Sequence, residues 1–218
     1  MPSPAPVLRE TLLSPRLLLL TLGGDTMLTS WGTNCLALAG RDGTLVVDPL
    51  IAPAQARVVE VALAPLFADA APYAPTETFD SSRTIDLGDV GAEVRHLGPG
   101  HTPGDAVVIF PSERVAATGD LVFHGFHFNY EEADVGALPA RLDALRALPV
   151  ERFVPGHGEP GGREILDEQA RYHAEVARLV RAAASPEEAR AAVLARFPGF
   201  ALEMAVESAV LAHRAGRR

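Results

Sequence analysis

Gly100-His101-Thr102-Pro103-Gly104-Asp105 decides how the rest of the chain is read, together with two later segments of the same form, Thr118-Gly119-Asp120 and Val154-Pro155-Gly156-His157-Gly158. In each, an apolar run ends, the chain turns through glycine or proline, and a His or Asp stands at the turn. A side chain at a strand end is held by the rigid sheet, and a glycine beside it lets backbone or substrate approach closely. Two imidazoles and one carboxylate suit Zn²⁺, and also Fe(II), for which two His and one carboxylate leave coordination positions open. Taken singly, each residue has a plainer reading: a His in a glycine-rich turn is more often a capping group, and Gly-Asp is common turn chemistry. Together they point to a metal or catalytic cluster of His101, Asp120 and His157.

Around these segments, residues 16 to about 154 form short apolar runs broken by Gly, Pro and Asp, the pattern of strands and tight turns. The runs predict strands at 17–22, 35–39, 45–48, 84–87, 92–97, 106–110, 115–118 and 153–154, with Gly40-Arg41-Asp42-Gly43 as a hairpin turn. Residues 1–15 carry no secretory pattern and read as a ragged lead-in. Apolar spacings of three and four predict a helix after Pro53 and another after Gly136, the latter on Leu138, Leu142, Leu145 and Leu148. After Gly162 the texture turns to Ala, Arg and Glu with a period near that of a helix. One long helix carries Ile165, Tyr172, Val176, Leu179 and Val180. Ser185-Pro186-Glu187-Glu188 starts another with Ser as N-cap, and residues 201–213 predict a last one. With no linker between body and tail, the reading is a single domain over 1–218, a two-sheet core at about 16–162 with a helical tail from 163.

Composition narrows the function. At 218 residues, 48% hydrophobic and 22% charged, the chain is globular rather than disordered or fibrous. A net charge of -9 opposes a phosphate backbone, which argues against nucleic acid as a partner. No apolar run nears the ~18 residues of a membrane helix, so a cytoplasmic protein with no membrane partner is expected. All 19 basic residues are Arg, which excludes Schiff-base lysine chemistry and the Gly-Lys-Ser/Thr phosphate loop. Cys35, alone in an apolar strand, reads as a small core residue.

The pieces in order, Asn34-Cys35-Leu36-Ala37-Leu38, Thr44-Leu45-Val46-Val47-Asp48, then GHTPGD at 100–105, TGDLVF at 118–123 and VPGHG at 154–158, resemble the metallo-β-lactamase superfamily, particularly its glyoxalase-II-like hydrolases, over about residues 26–162. The resemblance implies an α+β fold, the four-layer αββα sandwich, here with a C-terminal helical tail. It implies that His101 binds one metal, Asp120 bridges two, and His157 binds the second. The sequence departs from the pattern in one respect: the family's His-x-His-x-Asp-His motif is absent, and between Asp48 and His101 the only His is His96. A segment including a strand and helix is thus missing, and with it most ligands of an ordinary binuclear site.

What remains is a reduced, mononuclear site at His101, Asp120 and His157, or one that recruits new ligands. His124 and His127 follow Asp120 closely and are the candidates for an additional ligand or for substrate binding, beside the plainer reading of loop packing. His96 reads as an orienting or buried residue, and His173 and His213 as surface or packing residues of the tail. Asp48 is either a loop-steadying acid or a strand terminator. Trp31, Phe126 and Tyr130 are either a cleft wall or core lids, and Glu131, Glu132 and Asp134 a solvated loop.

Three functions compete. The leading one is a zinc-dependent hydrolase of small-molecule esters, thioesters, lactones or amides, in which Asp120 and His157 are catalytic. The second is a metal-free member of the fold, either a binding or structural protein or a repurposed biosynthetic enzyme. The third is Fe(II)-dependent oxygen chemistry on the two-His, one-carboxylate set. The expected partner is a small-molecule substrate, and the Ala-rich tail leaves a homodimer open.

Overall fold

The computed structural model describes residues 8–23, 32–48 and 77–215. The chain divides into two compact units, one holding the described residues up to His96 together with Val107–Ala117, the other Leu97–Ala106 together with Thr118 onward. Strands, helices and their C-terminal placement make the fold α+β.

The first unit contains a four-stranded antiparallel sheet in the order β1 (Leu8–Leu12), β2 (Leu17–Leu22), β3 (Asn34–Ala39) and β4 (Thr44–Val47). Leu20 faces Cys35 and Leu36 faces Val47, so the apolar runs lie side by side. Five of the six β2 residues are buried, and each fully buried Leu contributes about 1.5–3 kcal/mol. The sequence reading is corrected at the start: Leu8–Leu12 is a strand, paired to β2 from Leu8↔Leu22 to Leu12↔Leu18. It is mostly exposed because it is an edge strand held by backbone pairing to β2, with Leu8 alone of its side chains packed against the Leu20, Cys35 and Ala37 cluster. The Gly40–Gly43 hairpin closes as expected, with the Gly40 N–H donating to the Gly43 carbonyl at 2.8 Å. The same unit holds β5 (Ser82–Asp86), β6 (Gly91–Arg95), β7 (Val107–Phe110) and the first residues of β8 (Val115–Phe123), all antiparallel. The helix expected after Pro53 lies outside the described residues.

The second unit holds the remainder of β8, β9 (Arg152–His157), and helices α1 (Leu138–Arg146), α2 (Arg163–Ala182), α3 (Pro186–Arg196) and α4 (Val206–Ala215). The hydroxyl of Thr118 donates to the Val154 carbonyl at 3.2 Å, tying β8 to β9. The amphipathic α2 buries Ile165, Leu166, Tyr172, Val176 and Val180 on one stripe, and Tyr172, Val176 and Val180 join Phe123, Phe128 and Tyr130 in one core. Ser185 caps α3 by accepting the Glu188 N–H at 3.1 Å. The last helix starts later than the sequence suggests: Leu202 is left-handed (φ 62°), so a short 3-10 turn at Glu203–Ala205 precedes α4. Among the described residues no helix is long and apolar enough to cross a membrane.

Candidate functional site

His101, Asp120 and His157 all belong to the second unit, and each is placed by a different local device. His101 sits in the loop between β6 and β7. There the Asp105 carboxylate accepts the N–H of His101 at 2.6 Å, the N–H of Thr102 at 3.0 Å and the Thr102 hydroxyl at 2.7 Å. One carboxylate gathering three donors fixes a loop that has no ladder of its own. The loop is further tied by Arg141 of α1, whose guanidinium donates to the carbonyls of Leu97 and Pro99.

Asp120 and His157 do not stand at turns, which corrects the sequence reading. Thr118-Gly119-Asp120 lies inside β8, and Pro155-Gly156-His157 is the end of β9. Gly119 signals a turn in the sequence but takes φ 52° within the strand, a left-handed residue that re-aims the Asp120 side chain. Gly156 is a close-approach residue: a Cβ there would fall 1.9 Å from Oδ1 of Asp120.

The three side chains converge. Nδ1 of His101 is 4.0 Å from Oδ2 of Asp120, and Nε2 of His157 is 3.6 Å from Oδ1. Each imidazole faces a different carboxylate oxygen at a spacing longer than a direct hydrogen bond. The His157 side chain is 7% exposed and that of His101 15%, whereas Asp120 is 37% exposed and is the group an incoming molecule meets first. Aromatic rings wall the pair. The Phe123 ring centroid lies 4.7 Å from His157 and 5.8 Å from His101, Phe128 lies 5.4 Å from His101, and Phe126 lies 5.5 Å from His157.

The other candidates are placed elsewhere. The backbone N–H of His124 donates to the His157 carbonyl, and its Nδ1 is 2.7 Å from the Glu159 carbonyl, which fixes the proton on Nδ1. Its Nε2 is 3.5 Å from Glu168. His127 is fully buried against Tyr172, Phe197 and Phe200. The Tyr172 hydroxyl accepts the Phe128 N–H and lies 3.1 Å from Nδ1 of His127, and the His127 Nε2 has no hydrogen-bond partner among the described residues. Burial holds this imidazole below the usual histidine range. His96 belongs to the first unit, where its N–H donates to Ser81, and Asp48 follows β4 at φ 54° in an exposed position. Tyr130 is buried in the helical core, Glu131 and Glu132 are exposed, and Asp134 caps the approach to α1 through the Ala137 N–H. Burial, with a smaller contribution from Asp48, raises the Cys35 thiol to about 12, which leaves it unreactive. Trp31 lies outside the described residues.

The sequence profile of the Metallo-beta-lactamase superfamily matches residues 64–157, a span that holds all three converging side chains. Solved structures match over most of the chain. A metallo-beta-lactamase from Pontibacter korlensis is 19% identical at TM-score 0.59, over 76% of this chain and 98% of that one. Metallo-beta-lactamase IND-7 is 17% identical at TM-score 0.65, over 76% and 96%. A metallo beta lactamase from Erythrobacter litoralis is 18% identical at TM-score 0.60, over 77% and 92%. The fold is that of the metallo-β-lactamase superfamily. Of the span 26–162 over which the resemblance is expected, the profile matches residues 64–157.

Metallo-β-lactamase folds ordinarily bind zinc, so the fit of the donors to an ion matters. Among the described residues no group of three or more His, Cys, Asp and Glu side chains is arranged to hold one. Among the described residues one imidazole stands on each side of Asp120, too few donors for a tetrahedral ion. The described donors therefore do not fit the family's ion, whether zinc or iron. What they form is a carboxylate flanked by two imidazoles against an aromatic wall.

Sequence reasoning missed Phe123, Phe128, Gln169 and His173. Phe123 and Phe128 flank His124 and His127 in sequence and carry no polar atom to mark them as part of a site. Gln169 and His173 are four apart beside Tyr172 on the buried stripe of α2, a spacing that marks polar residues facing inward together.

Proposed function

We propose that this chain is a hydrolase-type enzyme whose reaction centre is His101, Asp120 and His157, acting on small-molecule acyl compounds: esters, thioesters, lactones or amides. The thioesters are the substrate class closest to the glyoxalase-II-like resemblance. The observation that carries the reading is the convergence of three side chains, from segments far apart in sequence, on one partly exposed carboxylate.

The chemistry falls to the chain's own side chains. The 3.6 and 4.0 Å gaps leave each imidazole a water's reach from Asp120, and such gaps tighten when substrate arrives. Asp120 accepts a hydrogen bond from the attacking water and aims its oxygen at the acyl carbon. Nε2 of His157 takes the water's proton as the C–O bond forms, and the resulting imidazolium returns it to the leaving oxygen, sulfur or nitrogen as the acyl bond breaks. A charge pair about 4 Å apart is worth ~1–4 kcal/mol between aqueous and protein-surface screening, which favours the imidazolium while it exists. His101 presents Nδ1 to the other oxygen of the same carboxylate and donates to it as the gap closes. The walls of Phe123, Phe126 and Phe128 exclude bulk water and offer an apolar face to the substrate.

A panel of p-nitrophenyl esters, acyl thioesters and lactones, assayed with chelator-treated protein, tests the reading. Turnover by the native chain that drops at least a hundredfold in both Asp120→Asn and His157→Ala supports it. Equal turnover in native protein and both variants refutes it.

A further inference from the structure

A chain of hydrogen bonds runs behind the aromatic wall, within the second unit. The Phe123 N–H donates to Oε1 of Gln169 at 3.2 Å. Only the amide oxygen can accept that proton, so the Gln169 NH₂ group faces the other way, 2.9 Å from Nε2 of His173. Nε2 must therefore accept, which leaves the proton of the neutral imidazole on Nδ1, 2.5 Å from the Tyr130 oxygen. The arrangement has no slack: turning the Gln169 amide over would set NH₂ against the Phe123 N–H, and a proton on Nε2 would set two donors face to face.

The same residues touch the reaction centre through rings. Phe123 lies against both His157 and His101, and Phe128 stands edge-on to His101 at 5.4 Å and to His173 at 4.7 Å. Tyr130, Tyr172 and Phe128 enclose His173, and His213 is the charged-capable neighbour that faces it. Enclosure, with His213 adding to it, lowers the His173 imidazole to about 3, in keeping with a residue that stays neutral.

We propose that His173 is a positioning residue for the reaction centre: with its proton on Nδ1 it holds Gln169, and through Gln169 the Phe123 backbone, so that the Phe123 ring stays against His157 and His101. The role in turnover rests on the hydrolase reading above; the role in holding the two imidazoles does not. The α2 helix therefore acts on the site without touching the reacting atoms.

Imidazole NMR and kinetics on three variants test this. In the native chain the proton of His173 is found on Nδ1. In His173→Phe, which keeps a ring but offers Gln169 no acceptor, the imidazole resonances of His101 and His157 move. There kcat falls by roughly tenfold to a hundredfold while KM holds, as expected for an ångström-scale misplacement. His173→Gln, whose amide oxygen can accept from Gln169, recovers most of both. Should His173→Phe fail to fold, Gln169→Leu replaces it: it removes the acceptor of the Phe123 N–H, and the same movement of the His101 and His157 resonances is expected, with still resonances again overturning the proposal. A native Nε2 proton overturns the proposal, and so do His101 and His157 resonances that stay still in folded His173→Phe. If the native chain turns over nothing on the panel, the hydrolase reading fails alone, since the resonance readout needs no activity.

Discussion

Gly156→Ala is the substitution that bears hardest on the geometry. A Cβ at 156 would stand 1.9 Å from Oδ1 of Asp120, 2.9 Å from the Gly119 carbonyl carbon and 3.0 Å from the Asp120 N. Contacts under 3.0 Å are essentially never tolerated by a real Cβ, so the carboxylate has to retreat by at least about 1.1 Å, and two of the three obstacles are backbone, which cannot swing aside. Asp120 is the residue both imidazoles face, so its retreat opens both pairs at once. A misplacement of ~1 Å costs up to about a hundredfold in rate, and overpacking at a buried contact costs ~1–3 kcal/mol of stability. Gly104, within the same family of motif segments, has nothing within 4 Å of its added Cβ and serves as the control. Steady-state turnover beside urea unfolding of the two alanine variants is the assay. Gly156→Ala is expected to lose activity well beyond its share of stability, with Gly104→Ala near native. Full activity in a folded Gly156→Ala would show that the carboxylate does not need its observed place.

Asp105→Ala removes the acceptor of three hydrogen bonds around His101 and should cost about 1–3 kcal/mol in urea unfolding and lower turnover more than the stability loss explains. Ser185→Ala deletes the cap of α3 and should cost ~1 kcal/mol while leaving turnover unchanged, because the helix touches none of the three residues; a matching activity loss would contradict that separation. Acid should destabilise the second unit. His127, His173 and His213 all have folded pKa values lowered, chiefly by burial, so their contribution is complete above the unfolded value near 6.5. It is lost as pH falls from the unfolded value toward the folded ones, by up to about 1.4 kcal/mol per pH unit for His173 between pH ~6.5 and ~3, with His127 and His213 adding to the loss in the same direction below pH ~6.5. Melting temperatures across that window measure it, and a flat profile would refute the neutral, enclosed state of these rings.

Much of the fold was legible because its signals are local. The β2 and β3 runs, the Gly40–Gly43 hairpin and the Ser185-Pro186 helix start each carry their cause within a few residues. The β1 strand was not legible, since polar Arg9, Glu10 and Thr11 are held by backbone pairing that only the neighbouring strand reveals. The site was half legible. His101, Asp120 and His157 stand out by motif, but Gly119 suggested a turn where the backbone passes through αL inside a strand. The Phe123–Gln169–His173–Tyr130 chain could not be read, because it links positions up to fifty residues apart by hydrogen bonds that depend on which way an amide faces.

Zinc titration of metal-depleted protein tests the central claim most directly, with turnover and bound metal measured on the same samples. The account predicts turnover before any zinc is added, no stoichiometric uptake through His101, Asp120 and His157, and loss of that turnover in Asp120→Asn. Activity that appears only in step with one bound ion, and an ion that Asp120→Asn no longer holds, would contradict it.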